Sequence, residues 1–198
     1  MRIFLDVGAN TGQSLMAALD RDFDQIVCFE PAPICWPYLE KLKDKRTTIH
    51  RYGLWDRDVT ATLYDQGTKG AGMWVKGKRL LNAVEKPITE TACTFKRASS
   101  WFRKHIPTGH TVYLKLNCEG AECDILDDLL DSGEFDKVSY CMVDFDVRKV
   151  MKLKHREAET RARLAEYPFP RVAYCKDVMR GETHQDRIGN WLALVDAV

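Results

Sequence analysis

The segment Ile3-Phe4-Leu5-Asp6-Val7-Gly8-Ala9-Asn10-Thr11-Gly12 constrains this chain more than any other. Ile3 to Val7 is an apolar run too short for a helix and stopped by a glycine, which predicts a strand buried on both faces. The glycines let the backbone turn tightly and approach a ligand closely. A helix over 13–19 follows, with Leu15, Met16 and Leu19 on one face. A buried strand, a glycine loop and a helix in succession point to a sheet with helices packed on it.

The rest of the chain continues that alternation. Gln25 to Phe29 reads as a second buried strand, and Pro31 and Pro33 break the chain after it. Trp36 to Lys43 has helical spacing, with Trp36, Leu39 and Leu42 turned inward. Thr48 to Leu54 reads as a third strand. Residues 59–94 differ: alternating segments and glycines at 67, 70, 72 and 77 predict short antiparallel strands and loops, a β-rich insertion or substrate-side loops. A helix over 98–105 precedes a strand over Thr111 to Leu116. Ala121 to Leu130 reads as an amphipathic helix stopped at Ser132-Gly133. Lys137 to Phe145 is a further buried strand, and a polar helix over 148–166 follows. Arg171 to Lys176 and Asn190 to Val195 read as a closing antiparallel pair. The expected architecture is α/β, one domain over 1–198, with a mostly parallel sheet covered by helices on both faces.

Composition sets outer bounds. The 198 residues carry a formal net charge of +1. A nucleic-acid partner would call for a clear basic excess, so it is not expected. The basic clusters at 41–46, 76–79 and 149–156 read as solvated faces. No apolar run spans a bilayer, and the N-terminus lacks the pattern of a signal peptide, so no membrane association and a cytoplasmic location are expected. The seven cysteines form no CxxC pair and read as small buried hydrophobes, without ligands spaced for a metal.

Ligands of such sheets bind where the strands end at their carboxyl side. A dinucleotide loop of the form GxGxxG would need glycines where Asn10 and Gln13 stand. The spacing fits instead the D/E-x-G-x-x-x-G loop of class I methyltransferases, which cradles a zwitterionic amino acid and a sulfonium. An acid such as Asp6 adds favourable charge there. Glu30, in Phe29-Glu30-Pro31, follows the second strand about 20 residues past the loop, where a carboxylate can accept both hydroxyls of a ribose. After the strand 111–116, Asn117 and Glu119 fall beside the first loop, and Glu122 sits in the first turn of a helix, favoured by its dipole.

Together, Ile3 to Gly12, Phe29-Glu30-Pro31 and Leu114-Lys115-Leu116-Asn117-Cys118-Glu119-Gly120-Ala121-Glu122 resemble the FkbM-type family of methyltransferases that use S-adenosylmethionine (SAM). The resemblance runs from the first residues to about Asp146. It implies a Rossmann-like fold with a seven-stranded sheet, and O-methylation of a sugar or another small-molecule hydroxyl. On this reading Asp6, Gly8, Ala9, Asn10, Thr11, Gly12, Gln13, Ser14, Glu30, Pro31, Leu54, Asp56 and Asn117 bind the cofactor, with Asp56 near the adenine amino group. The family usually has Asp where Asn117 stands, and an acid and a histidine where this chain has Asp144 and Asp146. Many relatives carry a cap segment before the first strand. Its absence here implies an open acceptor side, or one completed by a second copy of the chain.

Methyl transfer from a sulfonium is an in-line displacement that gains from a base near the acceptor hydroxyl. Asp144, Asp146 and Glu119 are the candidate bases, with Asp144 favoured and His184, on a late loop, ranked below the acids. Trp55, Trp74, Lys115 and His184 are the candidate acceptor-binding residues. Two other classes compete: an RNA or protein methyltransferase, and a SAM-binding module that has lost its chemistry, which the Asn117 substitution favours. A nicotinamide oxidoreductase lacks its glycines.

Overall fold

A computed structural model describes residues 1–64, 80–81, 84–85 and 90–198. Six strands form one sheet: β1 (Arg2–Val7), β2 (Gln25–Phe29), β3 (Thr47–His50), and, later in the chain, β9 (Thr111–Leu116), β10 (Tyr140–Val143) and β11 (Val172–Tyr174). Their spatial order is β11-β10-β9-β1-β2-β3, and every neighbouring pair is parallel. The chain runs outward on one side of β1 through β2 and β3, and on the other through β9, β10 and β11. That makes the carboxyl end of β1 the switch point of the sheet, where such folds open a crevice.

Pleating sends alternate residues of β1 to opposite faces. Ile3, Leu5 and Val7 join a core with Phe102 of α3 (Ala98–His105) and Ile125, Leu126 and Leu129 of α4 (Glu122–Asp131). Phe4 joins a second core with Leu15 of α1 (Gln13–Leu19), Leu39 of α2 (Trp36–Leu42) and Ile188, Trp191 and Leu192 of α7 (His184–Asp196). The sheet is thus covered on both faces. The helix α5 (Lys154–Leu164) and the short α6 (Cys175–Val178) connect its last strands to α7.

The polar helix expected over 148–166 is α-helical only over Lys154–Leu164, after 3-10 turns at Asp146–Lys149 and Met151–Leu153. Three larger features differ from expectation. Thr48 to Leu54 does not form one strand: β3 ends at His50, the chain bends at Arg51-Tyr52, and β4 (Gly53–Trp55) enters a separate sheet. That three-stranded sheet has the order β4-β8-β5, with β5 (Val59–Tyr64) antiparallel to β8 (Glu90–Arg97). A two-residue antiparallel pair, β6 (Leu80–Leu81) with β7 (Val84–Glu85), lies between them in the chain. The glycine-rich stretch around 67–77 falls outside the described residues. The main sheet therefore has six strands among the described residues, where seven were expected.

The closing antiparallel pair is the third difference. β11 pairs parallel with β10, and Asn190 to Val195 is helical. Ile188, Trp191, Leu192 and Val195 repeat at helical spacing and are all buried, so one stripe of α7 seals the second core. Among the described residues no helix is long and apolar enough to cross a membrane. All seven cysteines are unbridged, five of them buried.

Candidate functional site

A cleft opens over the carboxyl ends of β1, β2 and β9, roofed on one side by the β4-β8-β5 sheet. Its floor is the loop after β1. Gly8 has φ +83°, and a Cβ placed on it would lie 1.9 Å from the backbone oxygen of Asn117. Only glycine lets the two loops approach this closely. The amides of Gly8 and Ala9 donate to the Phe29 carbonyl at 3.1 Å, and the Asn117 amide donates to the Val7 carbonyl at 3.1 Å. The loops after β1, β2 and β9 are thereby tied together.

Among the described residues, the two non-glycine residues with positive φ are Asn10 (50°) and Glu119 (55°), and both line this cleft. Left-handed backbone is uncommon outside glycine and clusters at ligand sites. Asn tolerates it, and the Asn10 side-chain oxygen accepts from the Thr11 amide at 2.7 Å. Gly120, beside Glu119, is also left-handed at 116°.

Glu30 is buried at the end of β2. Its Oε2 accepts from the Asn10 amide at 2.7 Å and its Oε1 from the Ala32 amide at 2.8 Å. Burial raises its pKa to about 6 against the pull of those two amides. Each oxygen keeps acceptor capacity for a second donor. Beyond Glu30, the cleft wall is apolar: Pro31, Ile34 and Leu54, with Leu63 and Phe95 from β5 and β8. On the other side the Asn117 side-chain oxygen is buried without a hydrogen-bond partner. A ligand donor would satisfy it, since a buried orphan acceptor carries a desolvation cost of about 1–3 kcal/mol.

Register decides where Asp6 goes. Asp6 faces Lys115 across β1 and β9. The Lys115 ammonium donates to Asp6 Oδ1 at 2.9 Å and to the Gly8 carbonyl at 2.8 Å, with both side chains buried. Asp6 lies under the loop and does not line the cleft, while Lys115 does. The acid expected near a ligand's positive charge instead neutralises a lysine that braces the loop.

Of the other expected residues, Gly8, Ala9, Gln13, Ser14, Pro31, Leu54, Asn117, Glu119 and His184 line the cleft. Thr11 and Gly12 do not: Gly12 turns the chain into α1 with φ +93° and packs on Leu39 and Leu42. Asp56 pairs with Arg57 at 2.7 and 2.8 Å, away from the cleft. Trp55 is turned to α4, where its indole N–H donates to Asp124 at 2.8 Å. Trp74 lies outside the described residues.

The acids after β10 are also held elsewhere. Asp144 accepts from Arg148 at 2.8 Å, and the buried Asp146 accepts from Lys149 at 2.6 Å. Neither lines the cleft. Burial and the nearby Glu119 and Asp144 raise the pKa of Asp146 despite Lys149. Lys149 also reaches Glu119 at 3.6 Å. Glu122 is fully buried; its Oε1 accepts from the amides of Cys118 and Gly120 at 2.8 and 3.1 Å, closing the loop after β9 onto α4. Burial raises its pKa to about 7.

The apolar wall from Ile34, Leu63 and Phe95 was not foreseen. Its signal was present in the alternation of Thr60-Ala61-Thr62-Leu63-Tyr64, but the cleft it faces comes from pairing with β8, more than 25 residues away in the chain. Compared with known proteins, the chain matches no family model, no curated protein and no solved structure.

Proposed function

We propose that this protein is a SAM-dependent methyltransferase acting on a hydroxyl, with a sugar or glycan as the acceptor class. The observation that carries the reading is Glu30: a buried carboxylate at a strand end, held by an amide of the glycine loop and facing an apolar pocket. The parallel sheet flanked by helices is compatible with the Rossmann-like fold of class I methyltransferases.

The residues fit the cofactor. Glu30 would accept from the ribose hydroxyls, and Pro31, Leu54, Leu63 and Phe95 would face the adenine. The orphan Asn117 oxygen would accept from the ammonium of the methionine end. When bound, SAM supplies an electrophilic methyl group. The chain's own residues bind the nucleoside, orient it through the tied loops and shield it from water with the apolar wall.

Calorimetry with SAM and S-adenosylhomocysteine tests this. Glu30→Ala should weaken binding by about 100-fold, as expected for losing hydrogen bonds to a charged acceptor. Wild-type affinity should fall as pH drops through about 6, where Glu30 takes up a proton and loses acceptor capacity. Glu30→Gln should show a flat profile there. Unchanged affinity in Glu30→Ala sinks the ribose assignment. A methylation screen over mono- and oligosaccharides, read by mass spectrometry, then tests the acceptor class. The ion pairing of Asp144 and Asp146 favours one second reading, a SAM-binding module without turnover. Its signature is SAM binding with no methyl transfer to any acceptor.

A further inference from the structure

With Asp144 and Asp146 paired to cations outside the cleft, the base for the proposed reaction has to come from the groups that line it. Lys115 is committed to Asp6 and the Gly8 carbonyl, and Glu119 leans toward Lys149. His184 remains. It is the first residue of α7, and its backbone is held by a capping box. Thr183 Oγ1 accepts from the Asp186 amide at 3.1 Å, and Asp186 accepts from the Thr183 amide at 3.0 Å. Its Nε2 lies 3.3 Å from Ser14 Oγ, a buried hydroxyl of α1. Loop, α1 and α7 therefore converge on one imidazole that lines the cleft.

We propose that His184 is the general base of the methyl transfer, taking the proton of the acceptor hydroxyl while Ser14 holds its ring. This rests on the methyltransferase reading above. The proposal uses the tautomer in which Nε2–H donates to Ser14 Oγ, which leaves the lone pair on Nδ1. The acceptor O–H bond breaks and its proton goes to Nδ1. The oxygen forms its bond to the methyl carbon as the carbon–sulfur bond breaks, and that electron pair stays on sulfur as a neutral thioether. The imidazolium then returns its proton to water. The surroundings keep the ring neutral near pH 7. Desolvation lowers its pKa first, with Lys115 on β9 and Arg187 on α7 adding to it; Asp6 on β1 and Asp144 after β10 pull the other way.

The test is an NMR pH titration of the imidazole in the full chain, free, with S-adenosylhomocysteine and with SAM. Loss of the resonance in His184→Gln assigns it. A base facing the reacting methyl lies near the sulfonium, so its midpoint should be lower with SAM than with the neutral thioether, by about 0.5–2 pH units. On the acceptor identified by the screen, His184→Gln should lower kcat about 10²–10⁴-fold and abolish the acidic limb of the pH–rate profile. SAM affinity should stay within about threefold. Equal midpoints with the two ligands, or a His184→Gln variant that keeps its rate and its acidic limb, overturn the assignment. Failure of the wild type to bind SAM at all overturns the methyltransferase reading and this inference with it. SAM binding with an unresponsive His184 overturns only this one.

Discussion

At the scale of single residues, the site is governed by carboxylates that burial treats differently. Glu122 shows this most clearly. Its native pKa is raised to about 7 from an ordinary 4.5, chiefly by burial, so the folded chain holds that proton more tightly than the unfolded chain. Its contribution to stability is therefore full below about pH 4.5 and is lost as pH rises through about 7. Glu122→Gln, which cannot ionise, should be more stable than wild type at pH 8 by about 1–3 kcal/mol and gain nothing at pH 4. Urea denaturation of both proteins at the two pH values measures this; a constant difference would refute it. The sequence places Asp6 in the first loop segment, Glu30 at a strand end and Glu122 in the first turn of a helix, and does not say which of the three reaches the cleft. Only register and burial separate them: Lys115 lies opposite Asp6, backbone amides hold Glu30 at the cleft, and Glu122 folds back on the loop that precedes it.

At the scale of elements, the loop after β1 works through close approach to the loop after β9. Gly8→Ala places a methyl group against the Asn117 carbonyl and a side chain in left-handed backbone. It should cost about 3 kcal/mol or more, combining a φ penalty with a backbone shift. It should also abolish SAM binding; chemical denaturation and calorimetry check the two halves separately. The strand–loop–helix unit that carries Gly8 was legible because its signals are local: apolar run, glycines, helical spacing. The C-terminal segment did not yield to local signals in the same way: the strand expected over Asn190 to Val195 is part of a helix. Asn190 to Val195 taken alone is a short apolar run that fits strand or helix equally. The Thr183–Asp186 capping box and the spacing of Ile188, Trp191, Leu192 and Val195 together specify helix.

At the scale of the whole molecule, α7 closes the second core and anchors the end of the chain to its beginning. Asp196 accepts from Arg2 at 2.8 Å and from the Tyr113 hydroxyl at 2.7 Å, joining α7 to β1 and β9. Trp191 is fully buried, and its indole N–H has no hydrogen-bond partner. Trp191→Ala should cost about 3–5 kcal/mol through the cavity it leaves. Trp191→Phe should cost clearly less, because it keeps most of the packing and removes an unsatisfied donor. Equal losses in equilibrium unfolding would contradict this account.

By itself the sequence determined the α/β class, the order of most elements and the three loops that meet at the cleft, because apolar periodicity and glycine placement act over a few residues at a time. Tertiary structure alone decided which acids reach that cleft, that β4 leaves the main sheet for a second one, and that His184 comes to lie beside Ser14, 170 positions earlier in the chain. Those outcomes depend on strand register, on pairing between distant segments and on which buried charge finds a counter-charge. None of these is written in local spacing.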